Sequence, residues 1–352
     1  MGFKISCQGA ISVKTFVEFL LEKLTPAVHD TISRKMAPKI AGDMRATCPA
    51  FNGNRANLEK HVLISLAEKE NFDDYWEYIH NPESFFRKYI QNHIYIYCLK
   101  QNNKIKNFLE TIIGDIKNAI LSAIHESTAI AKDKSSTVSG WLDLFCDHLG
   151  SNLNFPRKDL GSVEHQEINN IECLKNTMSE ALDELMILVE KTCFSAPEED
   201  MVLEIQKMLS EHLCGCWKQC PFCGAICTNT IPNHDGDHSV PFHRPKAVCG
   251  GEWFNTDHFS IDCCTSLVAS NNSFVLNGRD ISFKTYRQAG GEYATWSITP
   301  DTSIQPYWKW FICHFRSNLE GIYEKKFTNK GKIPNAWTKI TKQKVLDDLE
   351  KQ

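Results

Sequence analysis

The sequence predicts a mainly α protein: an elongated helical bundle over residues 1–213, a small zinc-stabilised, β-containing module over 214–300, and C-terminal helices over 301–352. Three observations carry this. Apolar residues recur at steps of three and four through much of the first 213 positions. Cysteine, histidine, proline and glycine then displace helix formers up to about residue 258, and short strand-like runs follow. The helical period returns from Thr302.

In the first region the clearest helix runs through Ile105, Phe108, Leu109, Ile112, Ile113, Ile116, Ala119, Ile120, Ala123 and Ile124. This spacing lays one apolar stripe along the helix, with Lys104, Lys106, Glu110, Asp115 and Lys117 outside it. A second long helix is read from Ile168 through Leu174, Met178, Leu182, Leu185 and Val189. A third follows Pro197 through Val202, Ile205, Leu209 and Leu213, with Glu198, Glu199 and Asp200 suited to its N-terminal dipole. Tyr75, Trp76 and Tyr78, then Phe85, Phe86, Tyr89 and Ile90, suggest an aromatic helix pair broken at Asn81-Pro82. Residues 132–139 and 153–163 read as loops. In the middle region strands are expected over 261–269, 273–276, 281–286 and 293–299, with Asn277-Gly278 as a hairpin turn. Trp308, Phe311, Phe315, Leu319 and Ile322 mark the next helix, and a short one follows Pro334 through Trp337 and Ile340.

Length and composition set outer limits. A chain of 352 residues holds two or three folding units. With 42% hydrophobic and 23% charged residues, collagen-like and wholly disordered chains are excluded. A net charge of −4 argues against non-specific binding to nucleic acid or anionic lipid. No apolar run reaches the roughly 18 residues of a membrane span. Lys14, Glu18 and Glu22 interrupt any signal-peptide core near the start. Gly2 with Ser6 fits the loose myristoylation pattern, although Phe3 is a poor neighbour for it. Residues 324–351 carry eight lysines against four acids, which reads as a solvated helix face.

The fifteen cysteines are an odd number without a secretion signal, so a disulfide framework explains them poorly. Eight of them lie between Cys214 and Cys264, and five of the thirteen histidines between His212 and His258. Such crowding of thiols and imidazoles points to a metal. Cys220-Pro221-Phe222-Cys223-Gly224 has the form of a zinc knuckle, and His234, His238, His243 and Cys249 follow it. Zinc takes four tetrahedral nitrogen and sulfur ligands, and Cys220, Cys223, His238 and His243 supply a closed set, with Cys227, His234 and Cys249 in reserve. Cys214, Cys216, Cys263, Cys264 and Cys313 are read as small buried apolar residues. Residues 224–258 hold few large apolar side chains, so a structural zinc would decide whether this stretch is ordered.

Other chemistries fit less well. The Cys220, Cys223, His238, His243 spacing is near that of a ββα finger, but Pro241 between the histidines breaks the helix that finger needs. A RING-like ligase would need a second Cys-x-x-Cys pair, which adjacent Cys263-Cys264 does not form. There is no phosphate loop: Lys330-Gly331-Lys332 is followed by Ile333, with no spaced glycine upstream. His165-Gln166-Glu167 with Cys220 and Cys223 echoes a zinc deaminase only superficially, because the required Pro-Cys order is reversed.

Cys220-Pro221-Phe222-Cys223-Gly224-Ala225, then Asn233-His234-Asp235-Gly236-Asp237-His238 and His243-Arg244-Pro245, resemble the C-terminal portion of the interferon-induced very large GTPases. Cys264-Thr265-Ser266-Leu267-Val268-Ala269-Ser270 and Tyr307-Trp308-Lys309-Trp310-Phe311 are similar as well. The resemblance implies a dynamin-like, cytosolic and nuclear, interferon-induced family whose GTP-binding domain lies far upstream. It implies a truncated or split member, because none of the GTP-binding motifs is present. The expectation is therefore a non-enzymatic helical and zinc-binding module acting through self-association or protein contacts. The competing expectations are a zinc-dependent or nucleotide hydrolase, with Asp235, Asp237 or Glu252 beside an open metal, and a nucleic-acid adaptor using the lysine-rich tail.

Overall fold

The computed structural model describes residues 2–134, 138–153, 155, 171–193 and 199–351, and for 2–12, 134, 138, 151 and 193 the backbone alone. The fold is mainly α with one small sheet, as the periodicity predicts. The chain forms two compact units, one from residues 1–43 and 93–205, the other from 44–92 and 206–352. The expected divisions at 213 and 300 follow composition, whereas these units follow packing.

Eight helices come first: α1 (Gly2–Thr47), α2 (Arg55–Lys69), α3 (Phe72–His80), α4 (Pro82–Lys100), α5 (Asn102–Lys134), α6 (Val138–Leu149), α7 (Ile171–Cys193) and α8 (Glu199–Leu213). Asn54 and Asn71 cap α2 and α3 by accepting from Asn57 and from Asp73 and Asp74. The break between α3 and α4 falls at Asn81-Pro82, where proline takes the first helical position. In the first unit α5 packs against α6 and α7. Its apolar stripe, Ile112, Ile116, Ile120 and Ile124, is buried. So are Trp141 and Phe145 of α6, stacked at 5.2 Å, and Leu174, Met178 and Leu182 of α7. The loop expected over 132–139 is narrower than read: α5 continues to Lys134 and α6 starts at Val138, while 135–137 lie outside the described residues. Most of the 153–163 loop, residues 168–170 of the second long helix, and Pro197 and Glu198 lie outside them too.

The second unit joins α2, α3 and the later segments. β1 (Ser273–Leu276) and β2 (Arg279–Ser282) form the expected hairpin, with Leu276 opposite Arg279. Asn277 and Gly278 both take positive φ, 50° and 74°, as a type I′ turn demands. Three expected strands change. Residues 264–269 form a short helix, α9 (Cys264–Ala269), in place of the strand over 261–269. The run over 281–286 leaves the sheet after Ser282, whose hydroxyl accepts from Lys284 N–H and starts a 3₁₀ helix over Phe283–Ala289. This places Phe283 and Tyr286, three apart, into one core. Over 293–299, α10 (Gly291–Ala294) precedes extended residues that pair only through Trp296 with His238.

α11 (Pro306–His314), α12 (Arg316–Ile322) and α13 (Lys342–Glu350) complete the unit. α13 packs on α2 and α11. Tyr75 of α3 meets Phe311 and Phe315 at 4.7 and 5.0 Å, and its hydroxyl lies 2.7 Å from that of Tyr307. Lysines of the basic tail are engaged with acids of this unit: Lys325 with Glu252, Lys326 with Glu320 and Lys342 with Glu70. Among the described residues no helix is long and apolar enough to cross a membrane.

Candidate metal centre

Residues 216–229 double back as a narrow ribbon. Cys216 N–H donates to Asn229 O at 2.9 Å, Cys227 N–H to Lys218 O at 2.9 Å, and Cys220 N–H to Ala225 O at 2.8 Å. The tip is the knuckle turn. Gly224 takes a φ of 66° there, and its N–H donates to Cys220 O at 2.9 Å. A side chain would strain that left-handed backbone, so the glycine closes the turn that faces Cys220 and Cys223 inward.

A second segment reaches the tip from the far side. Lys246 N–H donates to Asp262 O, and Pro245 pairs with Cys263, so residues 243–246 run beside 260–264. That pairing sets His243 next to Cys264, the first residue of α9. Four donors now converge. Cys264 Sγ lies 3.9 Å from Cys220 Sγ, 3.7 Å from Cys223 Sγ and 3.0 Å from His243 Nδ1, and Cys223 Sγ is 3.3 Å from the same nitrogen. Bonds to zinc of about 2.3 Å for sulfur and 2.0 Å for nitrogen give tetrahedral edges of about 3.8 Å between sulfurs and 3.5 Å between sulfur and nitrogen. The two sulfur–sulfur distances match, the two sulfur–nitrogen distances fall a few tenths of an ångström short, and all four residues are buried.

The thiols cannot easily share this volume as bare ions. Burial pushes Cys220 and Cys264 well up from the ordinary thiol range. Burial opposes ionisation of Cys223 too, but hydrogen bonds from Cys220, Cys264 and His243 outweigh it and hold this thiol well below its usual value. One thiolate is favoured and its neighbours resist. A divalent cation removes that conflict by replacing the protons, so the donor set fits a metal and its sulfur content fits zinc.

The surroundings match the charge of such a centre. Three thiolates and Zn²⁺ sum to about −1 by the ordinary ligand charges. Arg244, next to His243, is 2% exposed, and its NH2 group donates to Tyr78 Oη at 2.9 Å. Tyr78 in turn donates to Glu59 at 2.5 Å, and the guanidinium lies over the rings of Tyr78 and Trp308. Despite burial, which works against its charge, Arg244 is held further up by Tyr78, Glu59 and Cys223. Phe222 packs under the turn against Phe274, Phe283 and Tyr293, all within 5.2 Å. From the stretch over 224–258 this core takes only Ala225, Cys227 and, at its edge, Val240; its large side chains come from Phe222 and residues 264–298.

The set expected from spacing, Cys220, Cys223, His238 and His243, is brought together in three of its members. His238 lies elsewhere, with Cys216, Cys227 and His234, and Cys264 occupies the fourth corner. The reason is the backbone: His238 pairs with residues 295–297 beside the base of the ribbon, away from its tip. Cys249 belongs to neither group; its Sγ sits 3.4 Å from Lys246 O. Cys264, read from the sequence as a small buried apolar residue, turns inward to the donors, whereas its neighbour Cys263 faces His243 O at 3.7 Å. A signal for Cys216 and Cys227 does exist. Cys216-x3-Cys220-x2-Cys223-x3-Cys227 is symmetric about the turn, the spacing of a ribbon bearing ligands on both arms. Neither His238 nor His243 lies on a helix, as the argument from Pro241 against a ββα finger requires.

Fold and site together define a helical protein with a buried Cys/His cluster of metal-ligand geometry. Comparison with known proteins makes this particular. Residues 216–349 match the family model described as the interferon-induced very large GTPase 1 C-terminal domain. The whole chain is 70% identical over 353 aligned residues to interferon-induced very large GTPase 1 of Homo sapiens, and 67% identical to that of Mus musculus. It spans 15% and 14% of those relatives, respectively. No solved structure matches the chain. The chain belongs to the interferon-induced very large GTPase family and corresponds to the C-terminal part of its members.

Proposed function

We propose that this part of an interferon-induced very large GTPase is a non-enzymatic, zinc-stabilised module that serves protein contacts or self-association, in the cytoplasm and nucleus. The observation that carries this reading is the buried Cys220, Cys223, His243 and Cys264 cluster at the centre of its own core. Four protein donors fill a tetrahedral shell, which leaves no position for a reactive water. Two of the three carboxylates that an open metal site would call on are engaged elsewhere: Asp237 pairs with Arg287 at 2.6 Å, and Glu252 with Lys325 at 2.6 Å. GTP binding, in the relatives' name, is assigned to no residue of this chain.

Cobalt substitution tests the closed shell. The cobalt form is expected to give a tetrahedral visible spectrum that azide leaves unchanged; an azide-induced shift would reveal an open position and favour the hydrolase.

Contacts between chains have a physical basis in exposed apolar residues of the first unit. Leu99 of α4 is 77% exposed, and Ile187 and Leu188 of α7 are 54% and 58% exposed. Sedimentation is expected to show self-association that weakens at least about tenfold, about 1.4 kcal/mol, when Leu99 and Leu188 are replaced by aspartate. A monomer at every concentration would remove self-association and leave partner binding.

A further inference from the structure

The residues at the base of the ribbon form a separate donor group. Cys216 and Cys227 are buried and stand on opposite arms, four residues before Cys220 and four after Cys223. Even spacing along an extended arm returns side chains to one face. Gly215, just before Cys216, sets this register, since a Cβ there would meet Thr230 backbone at 2.1 Å. His238 is tied to residues 295–297 by its N–H to Thr295 O at 2.7 Å and by Ser297 N–H to its own carbonyl at 2.8 Å.

The donor atoms converge as at the tip. Cys216 Sγ is 3.4 Å from His238 Nδ1, Cys227 Sγ is 3.5 Å from His234 Nε2, and the two nitrogens are 3.0 Å apart. Tetrahedral edges for zinc are about 3.5 Å between sulfur and nitrogen and 3.3 Å between nitrogens. The other ring nitrogen of His234 lies 3.2 Å from Asp235 O, so an Nδ1–H donating to that carbonyl leaves Nε2 with its lone pair on the cluster. Asp237 is held by two hydrogen bonds from Arg287, at 2.6 and 2.7 Å, which anchors the loop between the histidines. Two thiolates, two imidazoles and Zn²⁺ sum to no net charge.

We propose that Cys216, Cys227, His234 and His238 hold a second zinc ion, independent of the buried centre and quicker to exchange. No ligand is shared between the groups. The difference in exchange follows from access: all four donors at the tip are buried, whereas His234 and His238 are only partly so.

Metal analysis and chelator kinetics on the full chain test this. The purified protein is expected to carry two zinc ions, and a strong chelator to remove one of them at least about tenfold faster. His234→Ala with Cys227→Ser is expected to retain one ion, lose the fast phase and keep the far-ultraviolet dichroism. His234→Ala alone, which leaves both ribbon thiols in place, is expected to speed the fast phase further. One ion in the wild type, lost on replacing Cys223 by serine and kept in the double variant, would overturn the second site while leaving the buried centre standing. Two ions retained in the double variant would overturn it as well.

Discussion

Replacing Cys223 by serine is expected to remove the buried zinc and unfold the module at the ribbon tip. Cys223 touches Cys264 and His243 and carries the favoured thiolate of the group, so its loss leaves fewer than four donors. Structural zinc contributes an apparent 10–16 kcal/mol in small domains, about the whole stability of an ordinary domain at roughly 5–15 kcal/mol. The aromatic core around Phe222 would lose its organising turn. Zinc content, near-ultraviolet dichroism and thermal melting check this together. Helices of the first unit should keep most of the far-ultraviolet signal, because their core holds no ligand. Unchanged zinc and unchanged melting would end the structural-zinc reading.

The second large effect is expected at Arg244. Replacing it by methionine keeps much of the volume but leaves Glu59 and the thiolate centre without their buried cation. Breaking a buried pair by removing one partner costs about 3–5 kcal/mol. Arg244→Lys is expected to recover little, because an ammonium cannot reproduce the planar packing over Tyr78 and Trp308. Tyr78→Phe, which removes only the bridging hydroxyl, should cost less, about 1–3 kcal/mol. Denaturant titration of the three variants gives the ranking; equal stability of Arg244→Met and the wild type would contradict the charge argument.

The helices were legible because their apolar residues keep a 3.6-residue period that nothing later overrides. The run over 105–124 reads the same in sequence and in structure. Strands were less legible. Residues 264–269 contain Thr, Val and Leu and look extended, but Cys264 must present its thiol to three partners held by distant segments, and α9 follows from that placement. Phe283 and Tyr286 likewise turn into a 3₁₀ helix because both face Phe222. The metal site was legible as a class of chemistry. Its membership was not, since choosing among His234, His238 and Cys264 depends on backbone pairing between 238 and 296, and between 245 and 263. Such pairings join residues up to 58 positions apart, and local spacing carries no record of them.

The nested order of the ribbon cysteines, 216, 220, 223 and 227, has a kinetic corollary. Joining Cys220 to Cys223 closes a very short loop, and joining Cys216 to Cys227 directly closes a longer one at greater entropic cost. Once the tip is pinned the arms are already in step, and the outer pair meets as a zipper does, from its closed end. Assembly should accordingly run from tip to base, and disassembly in the reverse direction.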